Sequence, residues 1–181
     1  LGRCTGISFV DSTPVKVCHN RRIERHRVFK GLAERGKSSM GWFYGFKLHL
    51  VVNDCGDLLD FRLTPGNEHD TKPLKDLLKY IFGKVFGDKG YLSQTLKDEL
   101  WEQGIQLITS IRRNMKPQLM ELKDKLLLRK RSIIETINDQ LKNISQIEHS
   151  RHRCIDNFFV NLMGGLIAYS RRPKKPSVQV D

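Results

Sequence analysis

Alternation of apolar and polar residues near the start of the chain gives way to three- and four-residue spacing of apolar positions towards its end. Thr5 to Asp11 predicts a first strand, with Ile7, Phe9 and Asp11 on one face. Phe46 to Asn53 and Leu58 to Thr64 predict a second and a third, and Asn53-Asp54-Cys55-Gly56-Asp57 makes them a hairpin. Asp54, Asp57 and Asp60 are then turn or solvent residues. Asp70-Thr71 has the chemistry of a helix cap ahead of Leu74, Leu77, Leu78 and Ile81. A short apolar run ends at Asp88, followed by a helix from Ser93 to about Glu102 and a strand from Ile105 to Thr109. Pro117 is suited to start a further helix whose buried face is Leu119, Leu122, Leu126 and Leu127. Helical spacing continues from Leu128 to Lys142. Phe158 to Tyr169, broken by Asn161 and Gly164-Gly165, predicts a packed helix. Three antiparallel strands followed by alternating helices and strands predict an α/β fold, a mixed five-stranded sheet flanked by helices.

Composition narrows the partner. A chain of 181 residues is one domain's worth, with a net charge of +12 and a pI near 9.7, so an anionic partner is expected and nucleic acid fits best. Charge alone also fits a ribosomal or membrane-surface protein. No apolar stretch reaches the roughly 18 residues of a membrane span, and the start lacks a signal-peptide pattern. Cys4, Cys18, Cys55 and Cys154 are too scattered for a CxxC metal pair, which suits a reducing cytoplasm. Cys18-His19 with His26 lacks the second ligand pair that zinc requires.

Three acids carry the candidate chemistry. Asp11 closes the first strand, and Asp88 falls at the carboxyl end of its strand, where open α/β sheets build their sites. Glu135 lies on a basic helix, with Arg131 four residues before it and Lys142 seven after it on one polar stripe. Closely placed carboxylates suit magnesium, a hard cation, and two such ions support phosphodiester chemistry. Each acid alone has a plainer reading: a turn former before Ser-Thr-Pro, a helix start after glycine, an intrahelical ion pair. Asp139 is the rival carboxylate on the helix, and the spacing to Arg131 and Lys142 favours Glu135.

These segments, together with Val10-Asp11-Ser12-Thr13-Pro14, Gly41-Trp42-Phe43-Tyr44-Gly45-Phe46-Lys47-Leu48-His49, Thr64-Pro65-Gly66-Asn67 and Gly87-Asp88-Lys89-Gly90-Tyr91, resemble the catalytic part of a bacterial insertion-sequence transposase of the DDE type, and within it insertion-sequence family nine-eight-two. Related transposases carry Tyr-x2-Arg-x3-Glu-x6-Lys around the last acid; here Arg131, Glu135 and Lys142 match and Leu128 replaces the tyrosine. The resemblance implies a ribonuclease H-like fold over residues 1–170. Asp11, Asp88 and Glu135 would be catalytic residues and ligands of magnesium or manganese, two ions in all. Arg131, Lys142 and Lys89 would contact DNA. It implies nicking and strand transfer on element ends and target DNA by a homo-oligomer, in the cytoplasm and associated with the nucleoid. The alternatives are a catalytically incomplete DNA-binding remnant or a related metal-dependent nuclease. The N-terminal recognition region that such transposases carry is expected to be missing.

The remaining features are less specific. Val15 to Gly45, rich in Arg, Lys and His, is expected to be a DNA-contacting loop, against the plain reading of a solvated surface. Trp42, Phe43, Tyr44 and Phe46 are more simply core residues than base-stacking ones. His49 alternates with Leu48 and Leu50; it points either to the acidic face or into the core as a structural histidine. His149 and His152, beside Arg151 and Arg153, suggest a solvated or DNA-facing basic patch. Residues 171–181, with Arg171-Arg172-Pro173-Lys174-Lys175-Pro176, are expected to be a flexible basic tail that adds nonspecific DNA affinity.

Overall fold

A computed structural model describes residues 1–111, 115, 119–148 and 152–178. Pro117, His149 and Arg151 lie outside the described residues. The first strand, β1 (Ile7–Cys18), is longer than Thr5–Asp11 and runs straight through Pro14. A proline is tolerated there because its missing N–H faces away from the ladder. Lys16, two residues on and therefore pointing the same way, sends its N–H to Glu148 Oε1 at 3.1 Å rather than to a neighbouring strand.

The basic segment after β1 is structured rather than a loop. A short 3-10 helix (Asn20–Arg25) leads to β2 (Glu34–Ser38), which pairs antiparallel with β3 (Gly41–Asn53). β3 also pairs antiparallel with β1 over Tyr44–Asn53, and with β4 (Leu58–Pro65) through the expected hairpin. β2 takes Gly41–Gly45 of β3 and β4 takes Phe46–Val52, so the two lie end to end along one edge. The sheet therefore has six strands but is five positions wide. Where the two edge strands meet, a Cβ on Gly36 would run into the Gly66 carbonyl, so only glycine fits.

On the other side of β1 come β5 (Gly83–Gly87) and β6 (Ile105–Thr109), both parallel to it. The chain thus steps outward from β1 in one direction through β3 and in the other through β5 and β6. The ribonuclease H-like order expected of this chain is present: an antiparallel unit three positions wide, with β2 and β4 sharing its outer edge, continued by two parallel strands.

Period-two alternation sends one set of side chains to each face. Val10, Val51 and Val85 pack under α1 (Leu74–Leu77) and α2 (Gln94–Glu102), with Leu74, Leu78, Leu96 and Leu100. The predicted Asp70 cap is not formed: α1 starts at Leu74 behind Pro73, and Asp70 is engaged elsewhere. Ser93 does cap α2, accepting from Leu96 N.

The opposite face, with Phe9, Leu48, Leu50 and Phe86, is covered by α4 (Ser132–Asn143) and α5 (Ile155–Ser170), through Ile133, Ile134, Ile137, Phe158 and Leu162. α3 (Leu122–Lys130) precedes α4, with Arg131 at the bend. Its expected leucine face is largely outside: Leu119, Leu122 and Leu126 are exposed and only Leu127 is buried. The helix is held instead by Asp124, whose carboxylate takes Lys84 Nζ from β5 at 2.7 and 2.9 Å.

His49 is opposite Ser12 in the β1–β3 register while Asp11 is opposite Leu50, so His49 projects to the face away from Asp11. It is fully buried, 2.8 Å from Thr64 Oγ1, and burial lowers its pKa to about 4. This is the structural histidine. The basic segment from Arg171 makes defined contacts: Arg172 Nη1 donates to Gln140 Oε1, Lys175 Nζ pairs with Asp57, and Val178 N donates to Asp54 O.

Candidate active site

Parallel pairing of β1 with β5 brings the first two acids together. Phe9 is opposite Phe86, and their rings lie 5.7 Å apart on the same face. Two residues further along each strand, on that same face, come Asp11 and Asp88. β5 has ended by then, so the acids meet at the point where the sheet's connections diverge and a crevice opens. Ile133, Ile134 and Ile137 fix α4 over this face, and Glu135 of that helix lines the same cleft, about 570 Å³ in volume, as Asp11 and Asp88.

The cleft joins all three predicted acids, with Arg131 between two of them. Arg131 Nη2 is 2.7 Å from Glu135 Oε1, and Nη1 is 3.7 Å from Asp11 Oδ1. The second oxygen of Asp11 accepts from Asn138 Nδ2 at 3.1 Å. Asp88 accepts from Gly90 N at 2.7 Å, capping a single 3-10 turn over Lys89–Tyr91. The plainer readings of Asp88 as a helix start and of Glu135 as an ion-pair partner thus describe contacts that are present. They coexist with a shared cleft.

Electrostatics marks Asp11 as the strained member. Burial pushes its carboxyl from 3.8 up to about 7; Arg131 opposes the rise, and Asp88 and Glu135 add to it. The Tyr91 phenol beneath the site is pushed well above its usual range, first by burial and then by Asp11, Asp70 and Asp88. Asp11 is mostly buried, Asp88 half-buried and Glu135 exposed, and the hard oxygens they offer to one polar cleft fit a divalent cation. Among the described residues no three His, Cys, Asp or Glu side chains are already gathered at ligand spacing. The Arg131–Glu135 pair keeps the third acid occupied.

Of the predicted DNA-contacting cations, Arg131 is thus tied to the acids, Lys142 pairs with Glu148 at 3.3 Å, and Lys89 is exposed beside Asp88. Three residues outside the predicted acid site complete the cleft: Asp70, which read as a helix cap, Lys47, and Lys37 of the basic segment expected to contact DNA. Asp70 accepts from Ser12 Oγ at 2.9 Å and from Lys47 Nζ at 3.0 Å. Lys47 also donates to Glu68 O at 2.8 Å, and Lys37 reaches the cleft from β2. Lys47 had a signal, since it lies inside one of the recognised segments. Asp70 had none, because its neighbours make it look like a cap.

Carboxylates meeting at the switch point of a mixed sheet, under a helix and beside lysines, suit metal-assisted phosphodiester chemistry. Residues 1–155 match the family model described as "Transposase DDE domain", and the chain belongs to that family. It is a transposase-type, DNA-processing enzyme, DNA is its partner, and its family generally uses divalent metal ions. Among solved structures, the chain is similar to the catalytic core domain of BIV integrase, at 10% identity, TM-score 0.48, over 95% of this chain and 88% of that one. It is also similar to piggyBac transposase, solved as a synaptic complex with hairpin DNA, at 14% identity, TM-score 0.41, over 67% of this chain and 26% of that one. No curated protein sequence matches it. Among the described residues, no helix is long and apolar enough to cross a membrane.

Proposed function

We propose that this domain nicks DNA at the ends of an insertion sequence of family nine-eight-two and joins the freed ends to target DNA, acting as a homo-oligomer assembled on DNA in the nucleoid. The observation that supports the reading most is the register that sets Asp11 beside Asp88 at the end of β5, under the helix that carries Glu135. Asp11, Asp88 and Glu135 are the residues that would hold two magnesium or manganese ions. Bound there, such ions supply Lewis-acid activation of the attacking oxygen and stabilisation of the leaving one.

The chain's own groups do the rest. Water, then a 3′ hydroxyl, forms a new P–O bond as the bond to the leaving oxygen breaks; the proton of the attacking group passes to solvent, and the leaving oxygen takes one up from solvent. Asn138 fixes the Asp11 carboxylate, and Arg131 offsets its charge and orients Glu135. Lys37 and Lys47 line the cleft where phosphate oxygens enter and position the strand without reading its sequence.

The test is cleavage and joining of a labelled, pre-nicked element-end duplex with magnesium or manganese, beside Asp88→Asn. Metal-dependent joined product that disappears in the variant is the expected result; product that survives it removes Asp88 from the chemistry. The competing reading, a DNA-binding remnant, draws on the Arg131–Glu135 pair, which holds the third acid. Salt-sensitive DNA binding with no product under either metal would establish that reading. Cleavage without joined target would establish a nuclease.

A further inference from the structure

The aromatic cluster at the start of β3 divides sharply. Phe43, Tyr44 and Phe46 are 2%, 8% and 7% exposed and belong to the interior, whereas Trp42 is 64% exposed. Trp42 is directly opposite Lys37 in the β2–β3 register, and the Lys37 ammonium lies 5.8 Å from the centre of its ring. Lys37 also lines the acid cleft, so the indole borders it through one side chain. The ribbon that carries the ring is held: Asn20 Nδ2 donates to Trp42 O at 2.8 Å, and Ser38 Oγ closes the tip between Met40 N and Gly41 O. Beside the ring runs a groove of about 440 Å³ lined by Asn20, Ile23, Arg35 and Phe43.

Exposure alone assigns Trp42 no occupant, since Trp101 and Tyr80 are equally exposed; the cations around it and the adjoining cleft select one. From His19 to Trp42 the chain carries seven Arg and Lys against two Glu, so the surface favours a polyanion. An aromatic face flanked by cations matches a nucleic-acid strand whose phosphates meet the cations and whose base meets the ring. In a duplex each base is paired and held in the stack; an unpaired base is free to turn out and lay its face on the ring. We propose that the β2–β3 ribbon is a base-stacking element, with Trp42 receiving an unpaired base next to the phosphate held in the acid cleft, and Lys37 and Arg35 on its backbone. This rests on the reading that DNA enters that cleft.

The chain has two tryptophans. In a Trp101→Phe background the emission of Trp42 is therefore the sole indole signal. Titration with a single strand, a blunt duplex, and a duplex ending in unpaired bases, all in chelator, reads stacking without chemistry. Single-stranded and unpaired-end probes are expected to quench Trp42, and replacing the unpaired bases by abasic sites to abolish the quenching. Trp42→Ala should weaken binding of those probes roughly 5- to 150-fold, the range for loss of one base–aromatic stack, with blunt-duplex affinity unchanged. Trp42→Phe should restore most of it. Absent quenching, or equal loss on every probe, would overturn the proposal. Because these titrations need no metal and no product, they are independent of the joining assay: quenching without joining faults the catalytic reading, and joining without quenching faults this one.

Discussion

Replacing Asp11 by asparagine should abolish catalysis and yet make the folded domain more stable at pH 8. The side chain is 19% exposed, and burial holds its carboxyl at about 7 in place of 3.8. Between those values the folded state binds a proton that the unfolded chain has released. Stability from this group is therefore fully present below about pH 4 and is lost as the pH rises through 7. A rise of about three units corresponds to about 4 kcal/mol of destabilisation once Asp11 is ionised. Asparagine never ionises, and its amide oxygen can still accept from Asn138. The figure of about 4 kcal/mol is already net of the attraction to Arg131; the asparagine NH2 set against that guanidinium lacks an acceptor and takes back part of it, so the net gain is expected to be about 2–3 kcal/mol at pH 8. Urea denaturation of both proteins in chelator, from pH 4 to pH 8, measures this directly. The gap should be under about 1 kcal/mol at pH 4 and grow towards pH 8; magnesium should narrow it at pH 8 by stabilising only the wild type. An asparagine variant less stable than wild type at pH 8, or a gap that ignores pH, would refute the electrostatic account of the site.

Two further outcomes follow from other contacts. Asp70→Ala removes the acceptor of Ser12 and Lys47 and should lower joining on the order of 10- to 100-fold while costing only about 1–2 kcal/mol of stability; unchanged joining would make Asp70 a structural residue alone. Asp124→Ala strips Lys84 of its closest partner on a buried side of α3 and should cost about 2–4 kcal/mol at neutral pH, discounted because Lys84 is a third exposed; a loss below about 0.5 kcal/mol in urea denaturation would mean that the pair does not hold α3 to the sheet.

Local pattern was enough for much of this protein. The strand at Ile105–Thr109 and the Ser93-capped helix follow from residues adjacent in sequence, because alternation and capping are local physics. The order of the elements determined a mixed sheet, and the strand-end position of Asp88 and the Arg131–Glu135–Lys142 spacing pointed to acids at its centre. Extent and pairing were decided elsewhere. Pro14 reads as a strand breaker until the side on which its missing N–H falls is known, and that depends on where β5 stops. β2 is invisible as a strand because Glu34–Ser38 is polar and mostly exposed and gains its ladder from β3. The leucines at 119, 122 and 126 carry a helical period with no surface to cover.

The site divides in the same way. Sequence named Asp11, Asp88 and Glu135 as acids worth joining. Only the parallel register, in which Phe9 faces Phe86, could place Asp11 beside Asp88, since 77 residues separate them in the chain. That Asp70 lines the cleft and that Trp42 stays exposed were decided by the tertiary structure alone. A carboxylate ahead of a helix and an aromatic entering a strand have the same local signature whether they cap, pack or face a cleft. Which of these they do depends on the neighbours that the fold supplies.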